Sequence, residues 1–377
     1  MTNRTGHGGA QPVAPDGVST AVNTAGTQPV APGGEEGGPH RTGPEDEADF
    51  PDGFRVALDP GARWAGDGRT TLVGGAPARV LRFTPAGRDL VLRLAGGSPV
   101  PAGAGARALA RRLLDAGLAH PRPPAFTGRP ACTVVIPVRN NAAGLAATLA
   151  ALEATIPAHR DRVRSPLTGG VTEERTGSRG AGAGAPVEVL VVDDASADPA
   201  GHAAAGARAG ATDIRRARRG GPGAARNTGW RAASAGSRFV VFLDADCEPE
   251  PGWLDRLLAH FGDGRIGAGA PRIVAGAGPG TPRWLAAFEA TDSPLDLGER
   301  EATVRPGTPV AYVPTAALVV RRSALESVGG FDEALTVGED VDLVWRLVQR
   351  GWTVRYEPRA RVAHPPRPTA AAALHQR

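Results

Sequence analysis

From Phe54 onward, hydrophobic and polar positions fall into short periodic runs. Phe54, Val56 and Leu58 alternate with polar residues, and Thr71-Leu-Val73 and Arg79-Val-Leu-Arg-Phe83 follow after glycine-rich turns. That pattern predicts two or three short antiparallel strands. Thr84-Pro85 reads as an N-cap with proline in the first turn, opening a helix through Leu90, Leu92 and Leu94. A second helix carries Leu109, Leu113 and Leu114 and stops at Gly117. Residues 51–125 are therefore expected to form a small α+β module of winged-helix-like order, with Pro121-Arg-Pro-Pro124 as a stiff linker behind it. Beyond the linker, apolar runs and helical stripes alternate. Thr133-Val-Val-Ile-Pro137, Val187–Val192 and Phe239–Leu243 read as buried strands. Leu145, Leu149 and Leu152 mark one helix, and Trp253, Leu254, Leu257, Leu258 and Phe261 another. The alternation predicts an α/β domain over 130–366, a mostly parallel sheet with helices on both faces.

Composition changes this picture mainly at the edges. Glycine (52) and proline (35) concentrate in two places: before residue 48, where Gln11-Pro-Val-Ala-Pro15 recurs as Gln28-Pro-Val-Ala-Pro32, and in 157–186. The first reads as a disordered tail and the second as an exposed insertion, because neither holds enough apolar surface to offset its ordering entropy. Residues 367–377 are expected to be a flexible end. All 43 basic residues are arginine, which excludes a lysine nucleophile, a Schiff base and a P-loop. A net charge of +4 gives no electrostatic footprint for nucleic acid. Cys132 and Cys247 stand far apart with no Cys-x-x-Cys, so neither a disulfide framework nor a zinc site is expected. No apolar run approaches a membrane span and no signal-like leader opens the chain, so the expectation is a cytoplasmic protein reaching a membrane's inner face only through partners.

Candidate chemistry gathers at strand ends, where open α/β sheets bind ligands. Three strands end in polar signatures: Pro137-Val-Arg-Asn140, Asp193-Asp-Ala-Ser196 and Asp244-Ala-Asp246. An Asp-x-Asp after a buried strand sets two carboxylates where a divalent cation and a diphosphate fit. Gly221-Pro-Gly-Ala-Ala-Arg-Asn-Thr-Gly229 is a glycine-rich turn running into a helix, able to offer N–H groups to an anion, with Arg226 and Asn227 beside it. A dinucleotide fingerprint is disfavoured because Arg226 occupies its third glycine position. Gly338-Glu-Asp-Val-Asp342 opens an amphipathic helix; acidic residues there complement the helix dipole, or turn a carboxylate into a cleft as general base. The Arg215, Arg216, Arg218, Arg219 cluster reads either as a solvated loop or as a funnel for an anionic donor.

Six segments stand in an order that resembles inverting glycosyltransferases of family 2, with their GT-A fold: TVVIPVRN (133–140), VVDDAS (191–196), GPGAARNTG (221–229), FLDADC (242–247), VGGFDE (328–333) and GEDVDLVWR (338–346). The resemblance implies a nucleotide-sugar donor and a Mg²⁺ or Mn²⁺ ion. It places Pro137 and Asp194 at the nucleobase, with Asp194 and Arg226 holding uracil, and Asp244 at the ribose and metal. Asp246 becomes the main metal ligand, joined by His364, whose position after Tyr356-Glu-Pro358 is similar to that of the family's C-terminal histidine. Asp340 becomes the base that deprotonates the acceptor hydroxyl. Asp193, Asn227, Glu339, Trp345 and Arg346 are supporting candidates. Pro314-Thr315 stands where the family often has glycine, and the QxxRW motif of processive synthases is missing.

Residues 51–60 and 113–119, joined to this domain, resemble the mycofactocin-system glycosyltransferases. That likeness implies glucose transfer from UDP-glucose to a peptide-derived redox cofactor or its precursor, with 51–125 contacting a peptide or pathway protein. The rival acceptors are a lipid-phosphate, a polysaccharide or a secondary metabolite. The rival of another class is a peptide- or protein-binding module with an inactive transferase domain.

Overall fold

The computed structural model describes residues 50–126, 128–156, 185, 187–276 and 293–365. All of them belong to one unit, Arg41–Arg377. The expected tail, nearly all of the 157–186 insertion and the C-terminal end lie outside the described residues.

The N-terminal region opens with β1 (Arg55–Leu58), β2 (Arg63–Ala65), β3 (Thr71–Gly74) and β4 (Arg79–Arg82). Strands β2, β3 and β4 form a three-stranded antiparallel sheet. Helix α1 (Pro85–Ala95) starts where Thr84 accepts the Gly87 N–H at 3.2 Å, with Pro85 in its first turn. It buries Val91 and Leu94 and leaves Leu92 partly exposed, since a 3.6-residue period cannot turn Leu90, Leu92 and Leu94 to one side. Helix α2 (Ala104–Asp115) buries Leu113 and Leu114, and Gly117 beyond it adopts φ 66°. These elements close over a core of their own that includes Phe54, Val56, Leu72, Val91, Leu94 and Leu113.

The expected stiff linker is instead partly a strand. β5 (Ala119–Arg122) pairs antiparallel with β1, Val56 opposite Pro121. Proline is tolerated because a two-stranded ribbon leaves one side of each strand without a ladder to donate to.

The larger sheet follows, with β6 (Cys132–Val138), α3 (Ala142–Thr155), β7 (Val187–Asp193), α4 (Ala200–Arg208), β8 (Thr212–Arg215), α5 (Gly221–Ala232), β9 (Phe239–Leu243), β10 (Glu248–Pro249), α6 (Trp253–His260), β11 (Ile266–Ala275), β12 (Ala302–Val304), β13 (Ala317–Arg321), α7 (Arg322–Val328), α8 (Glu339–Gln349) and β14 (Thr353–His364). Its order is β10-β14-β11-β13-β9-β6-β7-β8, with β12 also on β14. The half β9-β6-β7-β8 is parallel, as the strand–helix alternation predicts. The other half is mixed: β13 runs antiparallel to both β9 and β11, while β11 and β14 are parallel. β13 is entered from the irregular stretch after β12 rather than from a crossover helix, so nothing forces it parallel.

Alternate residues of β6 feed two cores on opposite faces. Val134 and Ile136 join Leu145, Leu149, Trp253 and Leu257, whereas Val135 joins Ala225, Phe242, Leu343 and Leu347. Fully burying a Val, Ile, Leu or Phe side chain is worth about 1.5–3 kcal/mol, which fixes the strand ends beneath the loops that follow them. Among the described residues no helix is long and apolar enough to cross a membrane.

Candidate active site

The carboxyl ends of β6, β7 and β9 open into a cleft of about 480 Å³. Two loops at its rim are clasped together. Asn140, after β6, donates its N–H to Ser196 Oγ at 2.9 Å and accepts the Ala197 N–H at 2.9 Å. Asn140 and Ala195 both take positive φ, 52° and 56°, a conformation that costs an alanine about 1–2 kcal/mol and that the clasp must hold.

Eight of the predicted residues line this cleft: Pro137, Asp194, Arg226, Asp244, Asp246, Glu339, Asp340 and His364. Asp194 is buried, and its carboxylate accepts the N–H groups of Gly220 (2.9 Å) and Gly221 (2.8 Å) and Arg216 Nη1 at 2.7 Å. It therefore anchors the entry of α5. Arg226, which the resemblance sets beside the nucleobase with Asp194, points its guanidinium to Asp244 Oδ1 at 2.8 Å and Glu339 Oε1 at 3.0 Å. Burial opposes its charge, but Asp244 and Glu339 more than offset that and hold its pKa above the ordinary arginine value.

Asp340 stands at the start of α8, just after Gly338, which turns the chain at φ 80°. Its carboxylate accepts the Val341 N–H at 2.8 Å. Partial burial raises its pKa above the usual carboxylate value; the Val341 N–H opposes this, and the neighbouring Glu339 charge adds to it. A half-desolvated carboxylate at the cleft wall is suited to accept a proton.

On the opposite side β14 ends at His364, paired with Ala275 of β11. Its Nε2 lies 3.5 Å from Asp246 Oδ1. Cys247 Sγ is within 4.8 Å of both, but the residue is fully buried and burial, with Asp244 and Asp246 nearby, pushes its thiol well above the ordinary range. It packs as an apolar neighbour. A carboxylate oxygen and an imidazole nitrogen side by side, facing a polar cleft, suit a hard or borderline divalent cation.

Four supporting candidates do not line the cleft. Asp193 is buried and accepts Ser196 N–H and Arg215 Nη1. Asn227 is fully buried; its amide donates to Phe331 O and Glu333 Oε1 and accepts from Phe331 N–H and Trp230 Nε1. Trp345 donates Nε1 to Ala311 O at 3.0 Å. Arg346 pairs with Asp342 within α8 and ties that helix to Val328 O and Gly330 O. All four hold the frame. Cleft residues assigned no role by the sequence include Arg139, Asn141, Leu295 and Thr315. Arg139 lay inside a strand-end signature, and Asn141 was hidden by its second job, capping α3 through the Gly144 N–H at 3.0 Å. Of the arginine cluster, Arg215 and Arg216 are committed to Asp193 and Asp194, while Arg219 reaches the cleft.

The family model "Glycosyl transferase family 2" matches residues 133–329. The chain is 44% identical over 318 residues to the pre-mycofactocin glycosyltransferase of Mycobacterium tuberculosis, covering 84% of this chain and 59% of that protein. It is 32% identical over 152 residues to the N-acetylglucosaminyl-diphospho-decaprenol L-rhamnosyltransferase of the same organism, covering 33% of this chain and 46% of that protein. Among solved structures it is similar to GalNAc-T7 with UDP, GalNAc and Mn²⁺ (TM-score 0.44, 18% identity, 63% of this chain and 43% of that one). It is also similar to residues 1–349 of S. aureus TarS in complex with UDP (TM-score 0.43, 18% identity, 62% and 60%). The chain thus spans under two thirds of the length of its curated mycobacterial relative. The family model covers more than half of the 377 residues, and the chain belongs to glycosyl transferase family 2.

Proposed function

We propose that this chain transfers a hexose, glucose from UDP-glucose, to a hydroxyl acceptor with inversion at the anomeric carbon. The observation that carries the reading is the convergence of Asp244, Asp246, Asp340 and His364 on one cleft from three separate segments, the end of β9, the start of α8 and the end of β14. Asp340 takes the proton from the acceptor hydroxyl as that oxygen forms its bond to the anomeric carbon. The bond from that carbon to the diphosphate oxygen breaks on the opposite face, and UDP leaves with the electron pair. Asp246 and His364 would hold Mg²⁺ or Mn²⁺, and a bound divalent cation supplies charge neutralisation to the departing diphosphate. Pro137 and Asp194 border the nucleobase end, and Asp244 the ribose. Arg219, exposed at the rim, draws the anionic donor inward.

The acceptor we infer is the peptide-derived redox cofactor mycofactocin or its precursor, a reading supported by the name of the mycobacterial relative. The N-terminal region then serves acceptor recruitment, by peptide or pathway protein, in the cytoplasm. In Asp340→Asn, UDP affinity measured by calorimetry should stay within about twofold, while transfer falls by roughly 10²–10⁴. Near-normal transfer would remove Asp340 from the role. A panel of UDP-sugars and acceptors, read by product mass, identifies sugar and acceptor.

A further inference from the structure

Arg226 is the most deeply enclosed charge in the cleft, 3% exposed. Its two terminal nitrogens are taken by carboxylates from different elements: Asp244 at the end of β9 and Glu339, the first residue of α8. Its Nε is buried with no hydrogen-bond partner among the described residues, and the guanidinium lies 5.6 Å from the Phe331 ring centroid. Asp194, the partner expected for a shared nucleobase, is filled by Gly220, Gly221 and Arg216. The next residue of α5, Asn227, grips Phe331 through both its backbone groups and reaches Glu333. Two consecutive residues of one helix therefore hold a single segment at both ends, 331–333 by Asn227 and Glu339 by Arg226. Between the anchors the segment is open to solvent, with Val337 84% exposed. Gly338 then turns the chain into α8.

We propose that Arg226 is a positioning residue: bridging Asp244 to Glu339, it fixes the first turn of α8, and so places Asp340 against the donor's anomeric carbon, rather than holding the nucleobase. This rests on the reading of Asp340 as the base. A planar fork serves two carboxylates at set angles, which a lysine ammonium does not reproduce. Because Asp244 faces the donor and Glu339 adjoins Asp340, the bridge also links donor seating to base placement. The link acts on turnover more than on affinity.

Arg226→Lys, Glu339→Gln and the double variant test it in the full chain, with UDP calorimetry and UDP release from UDP-glucose as readouts. Each single change should lower kcat about tenfold to a hundredfold, the cost of slight misplacement of a reacting group. UDP affinity should change by less than about threefold, and the double variant should be no worse than the weaker single, because both break one bridge. A tenfold loss of UDP affinity with kcat intact in Arg226→Lys would make Arg226 a nucleotide-holding residue and overturn the proposal. Independent, multiplying effects would overturn it too. If Arg226→Lys does not fold, Glu339→Gln decides alone: unchanged kcat refutes the bridge. Asp340→Asn in the same assay separates the two levels, since normal turnover there defeats the base assignment itself.

Discussion

At the scale of single residues, what matters is which carboxylate keeps its proton. Asp340 is raised above the ordinary carboxylate value by burial and by its neighbour Glu339. A general base works only when ionised, so activity should be full above that raised pKa and fall as pH drops through it. The acid limb of a kcat/KM profile should therefore stand above the usual aspartate value of about 3.9. Removing the adjacent charge in Glu339→Gln should move that limb to lower pH, measured as UDP release across a pH series. The residue types of the site were legible in the sequence because Asp-x-Asp and Gly-Glu-Asp sit at element boundaries. Their partners were not. Arg226 and Asp194 flank the same glycine-rich turn, but which way a helical side chain faces depends on how α5 is rotated against the sheet. That rotation is set by close packing: a Cβ on Gly229 would run into the Val135 side chain.

At the scale of elements, α5 acts as the clamp of the cleft, and Gly330 is where the clamped segment passes closest. Its φ is +81°, and an added Cβ would sit 2.5 Å from Asn227 Oδ1 and 2.7 Å from Trp230 Nε1. Gly330→Ala should cost about 2–4 kcal/mol, combining left-handed strain with disruption of buried hydrogen bonds. Thermal or denaturant unfolding checks the magnitude. The continuous apolar runs made β6, β7 and β9 readable in advance, since a strand covered on both faces needs every position buried. Elements defined by partners rather than by their own pattern were harder. β5 carries a proline that reads as a linker, and only its pairing with β1 makes it a strand. The direction of β13 depends on the path of the irregular stretch before it, which periodicity does not encode.

At the scale of the whole molecule, the N-terminal region is fastened to the large sheet by polar contacts. Arg111 binds Asp263 through both nitrogens, at 2.7 and 2.9 Å, with both side chains largely buried. Arg122 binds Glu301 through a second fork, at 2.8 and 2.5 Å. Breaking one partner of a buried pair typically costs about 3–5 kcal/mol, because the other charge stays buried. Asp263→Ala should therefore destabilise strongly by differential scanning calorimetry, and more than Asp255→Ala, whose pair with Arg129 is exposed on the aspartate side. The same fastening has a consequence for biosynthesis. Arg122 leaves the ribosome 179 residues before Glu301, and His120, whose Nε2 lies 2.8 Å from Asp59 Oδ2, leaves 235 residues before its second contact, Arg355. At ordinary elongation rates the first of these gaps lasts roughly ten to forty seconds. Throughout that interval Arg122 lacks its carboxylate partner, and the seat of the N-terminal region is complete only when Arg355, on the last strand of the sheet, has been made.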